Sequence, residues 1–327
     1  MIKTTLTKKI LYWYDNNKRS LPWRKKSSQI NREYYTLVSE FMLQQTQVVT
    51  VIPYFNNFIK DIPNISSLAK INNNKLLKYW EGLGYYSRVK NLKKTAQILK
   101  KNFKGRLPSS IEELKLLPGI GEYTANAIMA IGFNKPFIPL DGNIERVIKR
   151  LLNLRLISEV SKENLISKKK ILGTSVRASD YAQALMELGA LICRPKNPLC
   201  DQCPLIKNCK SFKNNDFEIT KERKKKIDKF YLLEVYKKDN KFLLIKNTKF
   251  NFLKNLKIFP MSEISKHSNL EKNLNFKISN MNMNITIQFN KAKGSIPNSS
   301  WIDSSKLDVY TLPTFTKKIF SYLEKNQ

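Results

Sequence analysis

Between Lys3 and about Lys213, apolar residues recur at spacings of three and four, the period that lines them along one face of a helix. Six stretches carry this pattern: Tyr34–Leu43, Val89–Leu99, Ile111–Leu117, Thr124–Ile131, Ile144–Leu151 and Tyr181–Ile192. Breakers separate them at Ile62-Pro63-Asn64, Gly82-Leu83-Gly84, Leu107-Pro108, Pro118-Gly119 and Pro136–Pro139. Pro108-Ser109-Ser110-Ile111-Glu112-Glu113 reads as a helix start, with Ser109 or Ser110 as the cap and two acids in the first turn. A mostly α-helical bundle is expected here.

Past Cys209 the texture changes. Asn214–Asp228 is polar and basic, contains Lys224-Lys225-Lys226, and reads as a linker. Phe230–Val235, Phe242–Ile245, Ile258–Phe259 and Asn284–Phe289 are short runs rich in branched and aromatic residues, expected as strands. Phe315–Leu323 has the spacing of a closing amphipathic helix. The organisation expected is a mostly α region over 1–213, a linker over 214–228 and a smaller α+β domain over 229–327, with no internal repeat.

Composition agrees with two domains: 327 residues, 42% apolar and 26% charged, supply material for more than one core. No run approaches ~18 uninterrupted apolar residues, so no spanning helix is expected. The N-terminal MIKTTLTKKILYWYDNNKR lacks the apolar centre of a signal peptide. All four cysteines fall within the seventeen residues Cys193–Cys209, unlike a disulfide framework spread over a secreted fold. A reducing, cytoplasmic setting is expected. The net charge of +33 favours a polyanionic partner, nucleic acid first. Drift toward A and T in the coding sequence would also produce 48 Lys against 11 Arg beside 33 Asn, so charge alone does not establish that partner.

The cysteines are spaced Cys193-x6-Cys200-x2-Cys203-x5-Cys209. Four thiolates so close can enclose one zinc ion or hold an iron–sulfur cubane, although the long first gap differs from the paired C-x2-C knuckles usual for zinc. Pro195, Pro198 and Pro204, with Lys196, Lys207, Lys210 and Lys213, make a stiff basic loop suited to phosphates. Upstream, Leu117-Pro118-Gly119-Ile120-Gly121 joins two helical stretches. Such a junction can present backbone N–H groups to a phosphate, although any tight helix–helix turn also uses glycine. Twenty residues beyond Gly121, Pro139-Leu140-Asp141-Gly142-Asn143 places an aspartate at a helix start, as a plain cap or as a reactive carboxylate held rigid by capping. Glu40 is the one acid in Ser39–Gln47. It is either a surface residue of an amphipathic helix or a buried acid whose pKa desolvation raises toward that of a general acid.

In order and spacing, SEFMLQQTQV, WEGLGYYSRVKNL (Trp80–Leu92), LPGIG, PLDGN and the cysteine loop resemble the MutY family of adenine DNA glycosylases, within the helix-hairpin-helix superfamily that also holds endonuclease III. The likeness spans about Leu21 to Cys209. It implies a monofunctional, monomeric enzyme of base excision repair that removes adenine mispaired with 8-oxoguanine or guanine in double-stranded DNA. By position, Glu40 would protonate adenine N7 and Asp141 would stabilise an oxocarbenium-like sugar, with Tyr123 and Asn143 orienting both and the attacking water. Gln45, Thr46 and Leu83 would fill the gap left by the flipped base, and Tyr85 would intercalate beside the opposite base. Trp23, Arg24, Leu43 and Glu187 would line the adenine pocket, and Pro118, Gly119 and Gly121 would lie on the DNA backbone. Cys193, Cys200, Cys203 and Cys209 would hold one [4Fe–4S] cluster.

Tyr123 stands where endonuclease III has its lysine nucleophile, and that enzyme has no counterpart of residues 229–327. Both features oppose a bifunctional glycosylase/lyase. Intact Glu40, Asp141 and Tyr123 oppose an eroded iron–sulfur protein that only binds DNA. Two departures from the family pattern follow, one beside Arg24 and one in the C-terminal domain. The segment KKSSQINREYYTLVS between Arg24 and Glu40 is a few residues longer than usual, an insertion expected to press on Arg24. Residues 229–327 match a nudix-like, MutT-related domain in length and strand content but contain no nudix hydrolase box, so nucleotide hydrolysis is not expected. The family's Phe-Ser-His lesion-reading motif aligns with Ile278-Ser279-Asn280, which leaves Ser279 as the lesion contact and weakens the expected preference for 8-oxoguanine over guanine. The single histidine, His267, is expected at the surface.

Overall fold

The computed structural model describes residues 5–155, 161–217, 226–265, 273–278, 280–291 and 296–326. They divide into two compact units. The first takes the described residues of Met1–Ile71 and Ser87–Lys221; the second takes Asn72–Tyr86 together with those of Glu222–Gln327. A short piece of the helical half therefore folds with the C-terminal half.

In chain order the helices begin with α1 (Thr5–Asn17), α2 (Gln29–Leu43), α3 (Val48–Asp61), α4 (Ile65–Lys70), α5 (Asn73–Tyr79), α6 (Ser87–Asn102) and α7 (Ile111–Lys115). They continue with α8 (Glu122–Ala127), α9 (Gly142–Leu152), α10 (Lys162–Lys168), α11 (Ala178–Glu187), α12 (Lys210–Lys213) and α13 (Thr314–Lys325). The six periodic stretches fall on α2, α6, α7, α8, α9 and α11. Two of these run on into wider π turns, Ile128–Gly132 after α8 and Leu188–Ile192 after α11. Starts are set by side-chain caps: Ser110 accepts from the Glu113 N–H, Asn64 from Ser67, and Asp141 from both Asn143 and Ile144.

In the first unit, α9 buries Ile144, Val147, Ile148 and Leu151, a stripe at three- and four-residue spacing. It packs with Ile10, Trp13 and Tyr14 of α1 and Tyr181, Ala184 and Leu185 of α11 into one apolar cluster. Full burial of each such aliphatic side chain contributes about 1.5–3 kcal/mol. Cys193, Cys203 and Cys209 pack at the edge of this cluster, so the core that orients α9 also seats the cysteine loop.

The second unit is built on a sheet of β1 (Ile227–Lys238), β2 (Lys241–Lys246), β3 (Lys257–Ile258), β4 (Met261–Ile264), β5 (Asn273–Ile278), β6 (Met281–Asn290) and β7 (Ser299–Asp303). The order runs β3-β2-β1-β6-β5, with β4 also on β1 and β7 also on β2. The β1–β6 pair is parallel, Tyr231 opposite Ile285 and Leu233 opposite Ile287, and the other pairs are antiparallel. Tyr231, Leu233 and Val235 alternate inward along β1 and meet Phe315, Ile319 and Phe320 of α13. Among the described residues, no helix is long and apolar enough to cross a membrane.

Candidate active site

A cavity of about 760 Å3 opens in the first unit. Its wall brings together ten of the residues singled out from the sequence: Glu40, Tyr123, Asp141, Asn143, Trp23, Arg24, Leu43, Gln45, Thr46 and Glu187. Glu40 lies on α2 with only 5% of its surface exposed, which overturns the surface alternative. The Tyr123 hydroxyl, from α8, donates a hydrogen bond to its carboxylate. Burial pushes Glu40 up to about 7; the Tyr123 bond and the Arg24 charge act downward, and the Asp141 charge acts upward. Tyr123 is itself held well above the ordinary phenol range by burial and by the two carboxylates.

Asp141 caps α9 and faces the same cavity. Its Oδ1 accepts the Asn143 and Ile144 N–H groups at 3.0 and 2.7 Å, and its Oδ2 accepts the Asn143 side-chain amide at 3.0 Å. Burial raises its pKa, restrained by those donors and by the Arg146 charge. The Asn143 amide is oriented in turn by Arg146, which donates to Asn143 Oδ1 at 2.8 Å, to the Gly189 carbonyl at 2.6 Å and to the Cys193 carbonyl at 2.6 Å. The backbone comes close here: a Cβ on Gly189 would stand 2.6 Å from Asn143 Cβ and 2.8 Å from its carbonyl oxygen. Glycine is therefore required beside the aspartate's cap.

Glu187, fully buried, accepts from Arg19 through both oxygens at 2.8 Å and pairs with Arg24 at 2.9 Å. Burial acts to raise its pKa, but the Arg19 and Arg24 contacts outweigh that and hold it below the usual carboxylate range. The long segment after Arg24 does not expel that side chain, contrary to expectation. Its extra length builds the start of α2: Ser28 caps the helix, Gln29 and Arg32 donate to the Gly132 carbonyl at 2.9 and 3.0 Å, and Glu33 pairs with Arg106 at 2.9 Å.

At the end of α2, Gln45 adopts a left-handed φ of 56°. The buried Arg88 fixes this turn, reaching the Met42 and Gln44 carbonyls at 2.8 and 2.6 Å and Thr46 Oγ1 at 3.2 Å. The Pro118-Gly119-Ile120-Gly121 hairpin joins α7 to α8. Gly119 has a φ of 83°, and a Cβ there would meet the Phe41 ring at 2.8 Å. The hairpin is thus packed against the residue following Glu40. Leu83 and Tyr85 belong to the second unit's Trp80–Tyr86 turn, Leu83 buried and Tyr85 exposed. Ser279 and His267 lie outside the described residues.

The four cysteines are free thiols, half-buried, lining one small cavity with Arg150, Ile192 and Phe217. Arg150 donates to Cys193 Sγ at 3.5 Å and to the Arg194 and Pro195 carbonyls at 2.7 and 3.0 Å. The Leu205 N–H donates to the Cys203 sulfur, and those of Phe212 and Ser211 to the Cys209 sulfur. Burial pushes the Cys203 thiol up to about 12. Among the described residues, no set of three or more His, Cys, Asp or Glu side chains is arranged to hold a single metal ion.

Sequence reasoning missed Arg19, Arg88, Arg146 and Gly189. A signal existed for Arg146: it lies three residues after Asn143 and four before Arg150, so all three share a face of α9. Arg19, Arg88 and Gly189 act through contacts that local spacing does not encode.

A glutamate and a capped aspartate face one cavity in a helical unit that carries a glycine hairpin, the combination expected from the resemblance to the helix-hairpin-helix class of base-excision proteins. Residues 38–170 match the family described as HhH-GPD superfamily base excision DNA repair protein. The fold is shared with a thermostable thymine-DNA glycosylase, at TM-score 0.56 and 24% identity over 64% of this chain and 95% of that one. It is shared also with a trapped endonuclease III–DNA covalent intermediate, at TM-score 0.54 and 20% identity over the same shares, 64% and 95%. An adenine DNA glycosylase of Buchnera aphidicola subsp. Baizongia pistaciae is 37% identical over 97% of this chain and 96% of its own length. That of Homo sapiens is 40% identical over 62% of this chain and 38% of its own length. The chain belongs to the adenine DNA glycosylase family.

Proposed function

We propose that the protein is a monofunctional adenine DNA glycosylase, acting as a monomer on double-stranded DNA in base excision repair and removing adenine mispaired with 8-oxoguanine or guanine. One observation carries this reading: a buried Glu40, its pKa raised to about 7, shares a cavity wall with Asp141 and accepts a hydrogen bond from Tyr123. A carboxyl protonated near neutral pH suits a general acid, and a neighbouring carboxylate held by three hydrogen bonds suits an anion facing a developing cation. Glu40 protonates adenine N7, which makes the base a better leaving group. As the bond to C1′ lengthens, Asp141 stabilises the oxocarbenium-like sugar, and water completes the hydrolysis. Tyr123 orients Glu40, and Asn143 orients Asp141.

Flipping the adenine out costs a few kcal/mol, recovered by filling the gap. Gln45, Thr46 and Leu83 take that role, and Tyr85 enters beside the opposite base. Trp23, Arg24, Leu43 and Glu187 form the adenine pocket. Pro118, Gly119 and Gly121 meet the backbone phosphates. The C-terminal unit is read as a nudix-like lesion reader in which Ser279 meets 8-oxoguanine. A lyase reading finds no support at the cavity, since no lysine is among the described residues lining it.

Cys193, Cys200, Cys203 and Cys209 fit a [4Fe–4S] cluster. They line one cavity, backbone N–H groups donate to two of the sulfurs, and Arg150 stands beside a third. Each iron of a cubane takes one thiolate, so the four sulfurs need not converge on one ion. When bound, the group would cross-link the loop through four iron–sulfur bonds. Cleavage of duplexes carrying A opposite 8-oxoguanine, A opposite G, or thymine glycol opposite A, with and without hot alkali, tests the whole reading. Product from both adenine duplexes only after alkali is expected. Alkali-independent cleavage of the thymine glycol duplex would establish a lyase instead.

A further inference from the structure

The Trp80–Tyr86 turn is an unusual piece of backbone. Gly82, Gly84 and Tyr85 have φ values of 104°, 69° and 46°, and Tyr85 lacks the freedom that makes this region easy for glycine. The fully buried Trp80 closes the turn, its indole N–H donating to the Gly84 carbonyl at 3.2 Å, while the Leu83 N–H reaches the Trp80 carbonyl at 3.1 Å. Left-handed backbone at three of four consecutive positions persists only where surrounding contacts hold it.

Glu81 supplies such contacts. Its Oε1 accepts from Lys317 Nζ at 2.7 Å and from the Leu312 N–H at 3.3 Å, and its Oε2 pairs with Lys78 Nζ at 3.2 Å. Lys78 also donates to the Asp308 carbonyl at 2.5 Å. The Glu81 side chain is only 12% exposed, so these bonds operate at reduced solvent screening. Burial would raise its pKa, but the two lysines and the Leu312 amide hold it below the ordinary carboxylate value, so it stays anionic. Lys317 lies on α13, and Leu312 just before it; both stretches are anchored in the sheet's apolar cluster through Leu312, Phe315, Ile319 and Phe320. The carboxylate therefore connects a strained turn to the buried apolar core of the second unit, across more than 230 residues of chain.

We propose that Glu81 is a positioning residue that latches the Trp80–Tyr85 turn to Lys317 and the Leu312 amide, so that the C-terminal unit aims Leu83 and Tyr85 at the duplex. The inference rests on the reading above that these two residues enter the DNA. The latch lies within one folded unit; removing the carboxylate loosens the turn and slows extrusion of the adenine while leaving Glu40 and Asp141 in place.

The test uses the full chain with Glu81→Gln, Lys317→Met, the double variant, and Lys317→Arg. Single-turnover excision is measured at saturating enzyme on adenine opposite 8-oxoguanine, and stopped-flow fluorescence of 2-aminopurine at the target position follows extrusion. Glu81→Gln and Lys317→Met are each expected to slow both signals by about tenfold, the scale of one lost charged hydrogen bond. The double variant should be no slower than either, and Lys317→Arg should restore most of the rate. Lowered thermal midpoints with wild-type excision and extrusion would make Glu81 a stabilising residue only and overturn the proposal. Multiplying losses in the double variant would also overturn it, since the two residues would not then act through one contact. Wild-type protein that removes no adenine would overturn the proposed function and the latch with it; active wild type with unaffected variants overturns the latch alone.

Discussion

Protonation of Glu40 is the step most open to a quantitative test. With its pKa raised to about 7, the carboxyl is mostly protonated at pH 6 and carries its proton in about one molecule in eleven at pH 8. Single-turnover excision limited by this acid should fall through pH 7 and reach about a tenth of its plateau by pH 8. Tyr123→Phe supplies the decisive perturbation. The hydroxyl donates to the charged form of Glu40 and lowers its pKa, so removing it must move the alkaline limb upward, not downward. A hydrogen bond to a charged group is worth about 1.5–3 kcal/mol, which corresponds to about 1–2 pH units. The plateau should fall as orientation is lost.

The assay is excision of adenine opposite 8-oxoguanine from pH 5.5 to 9, quenched in alkali and resolved on a denaturing gel. A wild-type profile flat from pH 6 to 8.5, or a Tyr123→Phe limb displaced downward, would refute the assignment of Glu40 as the acid. Stability offers an independent arm. The folded state binds the Glu40 proton more tightly than the unfolded state, so between the ordinary value of 4.5 and about 7 stability falls as pH rises. At pH 8 the deficit is about 3 kcal/mol. Glu40→Gln removes it, and should abolish excision, retain duplex binding and raise the urea midpoint at pH 8 far more than at pH 5.

Other expectations are more local. Glu187→Gln leaves Arg19 and Arg24 without their buried anion and should destabilise the fold by about 3–5 kcal/mol, read as a drop in the urea midpoint; an unchanged midpoint would show that solvent reaches the pair. Gly189→Ala places a methyl group against Asn143 and should cut excision by about tenfold or more through a displaced Asp141 cap, with far-UV circular dichroism little altered. Asn143→Ala removes a donor to Asp141, so that pKa rises further and the acid limb of the rate profile moves to higher pH; an unmoved limb would detach Asp141 from it. Cys203→Ser should reduce iron well below about four per chain and lose visible absorbance, whereas full zinc and no iron in the wild type would replace the cluster with a zinc site.

Much of the helical unit was legible because its period is written locally. The stripe of α9 and the cap at Ser110 follow from spacing and side-chain type. The ten cavity residues were reachable through motif order, since each motif sits at the end of an element that the core then orients. Glu40 resisted local reading for a physical reason. Along α2, Glu33, Tyr34, Thr36, Leu37, Val38, Ser39, Glu40, Phe41 and Met42 are all buried, so the helix has no polar face there against which an inward acid would stand out. Only packing against the neighbouring elements separates a buried carboxylate from a surface one. Strands β4, β5 and β7 were missed for the opposite reason: MSEI, NLNFKI and SSWID are short and polar on one side, with too few branched residues to register.

The segment Asn72–Tyr86 shows where local pattern ends. Lys78 and Glu81 stand three residues apart, a spacing that on a helix surface makes a pair worth a few tenths of a kcal/mol. In the folded chain that pair belongs to a four-part contact with Leu312 and Lys317, and the segment counts with the sheet unit although it is encoded among the helices. Removing the C-terminal residues would therefore strip the partners from a turn inside the glycosylase motif itself. A truncated chain that lost activity would not show that the sheet unit reads the lesion. Substitutions at Glu81 and Lys317, which leave the sheet in place, separate aiming the turn from reading the opposite base.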